Sequence, residues 1–79
     1  MEETDAKLFA RLRADDPEFA RLAEKHRQLD RQIEEYDRIY YLTAEQERKR
    51  KDLQKQKLLI KDQLYAMMRH ARDALLHPA

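Results

Sequence analysis

Between Asp16 and Tyr40 the apolar and aromatic residues fall at Phe19, Leu22, Leu29, Ile33, Tyr36 and Tyr40, with His26 at the one remaining position of the series. Successive steps alternate between three and four. A helix gathers such positions onto one side, and a stripe this narrow is a seam for a partner helix. A second series, Leu53, Lys57, Ile60, Leu64, Met67, Ala71 and Leu75, keeps the same rhythm. Two seams in one short chain predict two helices packed side by side.

The chain contains no glycine. That removes phosphate-cradling loops, the dinucleotide fingerprint and tight primed hairpin turns. It also favours long uninterrupted helix, because few positions need positive φ. Without cysteine there is neither a disulfide framework nor a thiolate zinc site. A length of 79 residues sets the limit at one small domain. Seventeen Lys and Arg against sixteen Asp and Glu leave a net charge of +1, so no molecule-wide field seeks nucleic acid or acidic substrates. No apolar run approaches the roughly 20 residues that span a bilayer. The acidic start Met1-Glu2-Glu3 lacks the basic region of a signal peptide, so a cytoplasmic location is expected.

Punctuation sets the expected boundaries. A short helix at 5–14 carries Leu8, Phe9 and Leu12, with Thr4 or Asp5 as its cap, and ten residues hold helix only when docked. Asp16-Pro17 then supplies an N-cap and a first helical residue whose missing N–H costs nothing, and Glu18 suits the positive end of the dipole. The first long helix is read as 17–40, the turn as 41–43, the second long helix as 44–75 and the tail, with Pro78, as 76–79. Thr43 and Gln46 match a capping box. A connection this short folds the chain back on itself. The expected fold is therefore all-α, a coiled-coil-like antiparallel two-helix hairpin with a short N-terminal helix. Folding at Leu42 pairs residues whose numbers sum to about 83: Leu53 with Leu29 and Asp30, Ile60 with Leu22, Leu64 with Phe19. Glu34, Glu35 and Asp37 then face Arg48, Lys49 and Arg50. Tyr36 and Tyr40 fall in the core of this arrangement.

Two helices alone make a thin core, near zero in net stability. Leu12 would fall near Ala71 and Leu8 near Leu75, so the N-terminal segment can add burial, in cis or on a second chain. A further stripe of Leu58, Tyr65, Met68 and Leu76, with Lys61 and Arg72 among them, lies about 80–160° around the second helix from Ile60. A lone hairpin would leave it wet, and it is read as a self-association or protein-docking face.

Chemistry is sparse. His26, Asp30 and Lys57 share a seam level, but two ligands from one turn make no metal site, and a lysine beside them repels cations. They read as a polar layer that fixes register. His70 and His77 have no partners at metal spacing. Arg48 to Lys51, continued by Lys55, Lys57 and Lys61, is the most basic run and offers an alternative role in RNA binding. Glu45, Glu47 and Asp52 interleave with it, and no aromatic within it can stack on a base. Serine is absent and Thr43 is used in capping, so no nucleophile with base and orienter exists. No enzyme activity, cofactor, small-molecule substrate or membrane attachment is expected.

Leu12 followed by Asp16-Pro17-x-Phe19, then His26-x-x-Leu29-Asp30-x-x-Ile33, then Lys57-Leu58-x-x-Lys61-Asp62 and Met67, resembles the small bacterial YdcH-like family, which carries a domain-of-unknown-function label. The resemblance runs from about Leu8 to Met68. It implies a short cytoplasmic helical hairpin and brings no catalytic or binding residues with it. Here the central turn is Tyr-Tyr-Leu-Thr, not a glycine-containing turn. Together these readings point to a small interaction module, a homodimer or a partner of another protein.

Overall fold

The computed structural model describes the backbone of residues 3–76 and the side chains of 5–74. It is all-helical: α1 spans Glu3–Asp15, α2 Pro17–Asp37 and α3 Ala44–Leu76, with no strand among the described residues. The expected short helix thus gains residues at both ends, and α3 runs one residue past the expected 75.

The break between α1 and α2 is local chemistry. Asp16 lies in extended geometry (φ −116°, ψ 109°), as a residue before proline prefers. Its Oδ1 accepts from the amides of Glu18 at 3.0 Å and Phe19 at 3.3 Å, while its own amide still donates to the Leu12 carbonyl at 2.8 Å. Two of the free amides of the first turn of α2 are thereby satisfied. At the start of α3, the Gln46 amide donates to Thr43 Oγ1 at 3.1 Å and the Thr43 amide to Gln46 Oε1 at 2.9 Å, the reciprocal capping box.

The end of α2 departs from expectation. The helix stops at Asp37, with Arg38 as C-cap, not at Tyr40. Arg38 still donates to the Glu34 carbonyl four residues back at 3.2 Å, and the next amide, Ile39, tightens onto the nearer Tyr36 carbonyl at 3.1 Å. Residues 38–43 therefore form the connection, longer than the expected 41–43. Tyr40 is 89% exposed and is not in the core, and Tyr41 is 82% exposed. Their rings meet edge to face at 4.7 Å, outside the helix pair.

The longer connection moves the register by about one helical turn. Phe19 shares a buried cluster with Leu64 and Met68, Asp30 bonds Lys57, and Asp37 bonds Arg50. Partner numbers rise along α2 as they fall along α3, and for the two ion pairs they sum to 87, against the expected value near 83. Apart from Tyr40, and Leu75 whose side chain lies outside the described residues, the seam positions are as expected. Phe19, Leu29 and Ile33 are buried, Leu22, His26 and Tyr36 half-buried; on α3 Leu64 is buried and Leu53, Lys57, Ile60, Met67 and Ala71 are half-buried.

Most of the core gathers at one end. Phe19, Ala23, Leu64 and Met68 are buried together, and Leu8, Phe9 and Leu12 of α1 cover them beside Leu22, Ile60 and Met67. Phe9 meets Phe19 edge to face, with centroids 5.0 Å apart, a geometry that places a ring edge on the partner's π face. At the start of α1, Asp5 accepts a charged hydrogen bond from Arg72. The N-terminal segment thus docks on its own chain. The pairing of Leu8 with Leu75 lies outside the described side chains.

Candidate interaction surface

α3 carries three kinds of side chain besides its seam: a polar layer, a stripe shared with α1, and an exposed outer face. Each can be built from its spacing.

Two of the three residues of the expected polar layer, Asp30 and Lys57, make a direct contact. Lys57 Nζ donates to Asp30 Oδ1 across the two helices, and His26 lies one turn before Asp30. The layer sits between the large apolar cluster and the smaller group around Leu29 and Ile33. Burial, and next the Lys57 ammonium, hold the His26 imidazole below its ordinary proton affinity; Asp30 opposes this, and Lys61 adds to it. The hydrogen bond from Lys57 lowers the proton affinity of Asp30. Nearer the connection, Arg50 donates from Nε at 2.9 Å and from its terminal nitrogen at 2.8 Å to Asp37 Oδ1. Among the described residues no group of His, Asp or Glu could hold a metal ion.

The stripe of Leu58, Tyr65, Met68 and Leu76 divides. Met68 is 2% exposed and belongs to the core, so it is not part of a free face. The reason is α1. A two-helix seam buries two positions in seven, and a third helix widens the buried arc to the adjacent position, which Met68 holds. Arg72, read among the same stripe, is tied to Asp5. Leu58 and Tyr65 remain exposed, at 58% and 41%. The ammonium of Lys61 lies 5.8 Å from the Tyr65 ring centroid, a cation–π distance. Leu76 is in α3, but its side chain lies outside the described residues.

Leu59, outside both the seam and the stripe, is the most exposed of the described leucines of α3 at 64%. It falls one residue after Leu58 and one turn before Gln63, off both seams. The signal was available: a large apolar residue that no helix of the chain has a seam position for. Leu58, Leu59 and Tyr65, with the exposed Ala66 one turn beyond Asp62, make the apolar part of the outer face.

Of the basic run, Arg50 and Lys57 are spent on Asp37 and Asp30, whereas Arg48, Lys49, Lys51 and Lys55 point to solvent. Among the described residues no helix is long and apolar enough to cross a membrane.

Comparison with known proteins gives a family and no activity. No curated protein and no solved structure matches the chain. A family model described as "Protein of unknown function (DUF465)" matches residues 19–68, which hold the first seam, the second as far as Met67, the Asp30–Lys57 pair and the connection. The YdcH-like resemblance agrees with that match. The chain belongs to the DUF465 family.

Proposed function

We propose that the protein is a non-catalytic antiparallel helical hairpin, braced by its N-terminal helix, that works by self-association through the outer face of α3. The pairs Asp30–Lys57 and Asp37–Arg50 support the antiparallel order. One observation carries the functional reading: Leu58, Leu59 and Tyr65 stay exposed although α1 has already covered Met68 beside them. Fully burying a leucine or aromatic side chain is worth about 1.5–3 kcal/mol, so this face gains from a partner what the monomer cannot supply.

RNA binding is the weaker reading, because two of the cations in the basic run are neutralised within the chain. Sedimentation velocity across the micromolar range tests the proposal. The expected result is a concentration-dependent dimer that Leu59→Glu disperses without loss of helix. A monomer throughout, or tight RNA binding that falls steeply with added salt, would overturn it.

A further inference from the structure

On the side of α3 roughly opposite its seam lies a third heptad line: Arg48, Asp52, Lys55, Leu59, Asp62, Ala66, Arg69 and Asp73. All eight are exposed, and none of their charged groups makes an ion pair or hydrogen bond with another described residue. The steps alternate four and three throughout, the spacing that lets one helix lie along another. The charges on the line also change sign in order: plus, minus, plus, then Leu59, minus, then Ala66, plus, minus.

We propose that this line is a two-fold interface: α3 pairs antiparallel with α3 of a second copy about an axis passing between residues 60 and 61. The inference deepens the self-association reading and rests on it. A two-fold interface must be self-complementary, so each residue meets the one whose number completes a fixed sum. For an axis at that point the sum is 121. Arg48 then meets Asp73 of the other copy, and Asp52 meets Arg69 of the other copy. Each pairing occurs twice by symmetry.

Neighbouring charges on one chain, Arg48 with Asp52 and Arg69 with Asp73, are one turn apart, so each end closes into a square of alternating sign. Lys55 meets Ala66, and Leu59 meets Asp62, whose carboxylate can reach outward to water. Flanking residues of antiparallel helices meet like position to like. Leu58 of one copy therefore lies beside Tyr65 of the other, on both sides of the axis.

Other registers are poorer. Moving the axis toward the N-terminus by half a heptad places Asp52 against Asp62. The same shift toward the C-terminus retains a single kind of ion pair, Lys55 with Asp73, and sets Leu59 against Arg69. Centring the axis on Asp62 opposes that residue to itself and Lys55 to Arg69. Charge thus selects the register, while Leu58, Leu59 and Tyr65 supply the apolar contact.

The test is a charge exchange read by sedimentation equilibrium, with circular dichroism to confirm the fold. Asp52→Arg alone and Arg69→Asp alone each create two like-charge contacts and weaken the dimer about tenfold or more. Mixed in equal amounts, the two variants form a heterodimer, because both contacts become Arg–Asp again. The double variant D52R/R69D self-associates like the parent. Dimers that persist unchanged in both single variants, or single variants that do not recover on mixing, overturn this interface while self-association stands. A parent chain that stays monomeric throughout overturns both.

Discussion

His26 is the one titratable group of the seam in the neutral range, and its surroundings set the sign of a pH effect. Burial and the Lys57 and Lys61 ammonium groups outweigh Asp30, so the folded chain takes up a proton at His26 less readily than the unfolded chain does. Its contribution is fully present above the ordinary imidazole value of about 6.5 and is lost as pH falls through it. Asp30 acts in the same direction lower down. Its proton affinity is depressed, so the stability it lends is present above the ordinary carboxylate range and lost as pH falls below it. Urea melts of the parent and of His26→Gln at pH 8 and pH 5 separate the two groups. The parent should lose more stability between these pH values than the variant, and equal losses would remove His26 from the account.

Met68 and Leu58 form the second contrast at this scale. Met68→Ala empties a site that is closed on all sides and should cost about 2–5 kcal/mol. Leu58→Ala on the exposed face should cost the monomer less than about 0.5 kcal/mol. Thermal melts at a concentration where the chain is monomeric distinguish them. Sequence spacing alone placed both on one free stripe. Nothing in the α3 pattern marks the difference, because it is set by the register with α2, which brings Met68 to Phe19, and by where α1 lies.

Helix α1 is the element on which the packing turns. It brings Phe9 to Phe19 and Asp5 to Arg72, and its own length is too short to be stable alone. Phe9→Ala should therefore do more than remove a contact. The loss of about 1.5–3 kcal/mol of burial should undock α1 as a unit, and amides of residues 5–14 should lose protection together while those of α2 persist. Protection lost only at residues next to Phe9 would show that α1 holds by other means. By contrast, Asp5→Asn should shift stability by less than about 1 kcal/mol, since the pair is partly exposed.

The elements differ in how much the sequence disclosed. Asp16-Pro17 and Thr43-x-x-Gln46 are side-chain chemistry within a few residues, so both helix starts were legible. The end of α2 was not. Ile39 and Tyr40 continue an apolar pattern, and no glycine or proline stops it; the helix ends through a tightened hydrogen bond from Ile39 to Tyr36. That shift of about one turn removed Tyr40 from the seam and left the other described seam residues in place, changing only whom they face, because the heptad repeats more often than the register is marked. The α3 outer face was legible in part: Leu58 and Tyr65 stood out as surplus apolar residues, and Leu59, off both seams, carries the same signal without sharing their stripe.

At the scale of the molecule, shape decides how stability is spread. The chain measures 54 × 22 × 17 Å, with a radius of gyration of 15.7 Å. A compact domain of this length would have about 12 Å. A rod two or three helices thick has no centre, so each segment is as stable as its own layer. At the α1 end three helices meet around Phe19, Ala23, Leu64 and Met68. Past the His26–Asp30–Lys57 layer there are two helices with Leu29 and Ile33 buried, and past Ile33 no residue is buried. The first turns of α3, from Glu45 to Asp52, contain no large apolar side chain.

Opening should therefore begin at the connection and stop at the polar layer, where Lys57 and Asp30 separate the two apolar groups. Native-state hydrogen exchange should show amides of 34–50 exchanging through local opening, faster by about tenfold or more than those of 19–26 and 60–68, which exchange only on global unfolding. Cross-linking 37 to 50 through engineered cysteines should slow the first set and leave the second nearly unchanged. Uniform protection along both helices would mean that the rod melts as one piece, and that the polar layer sets register without dividing the fold.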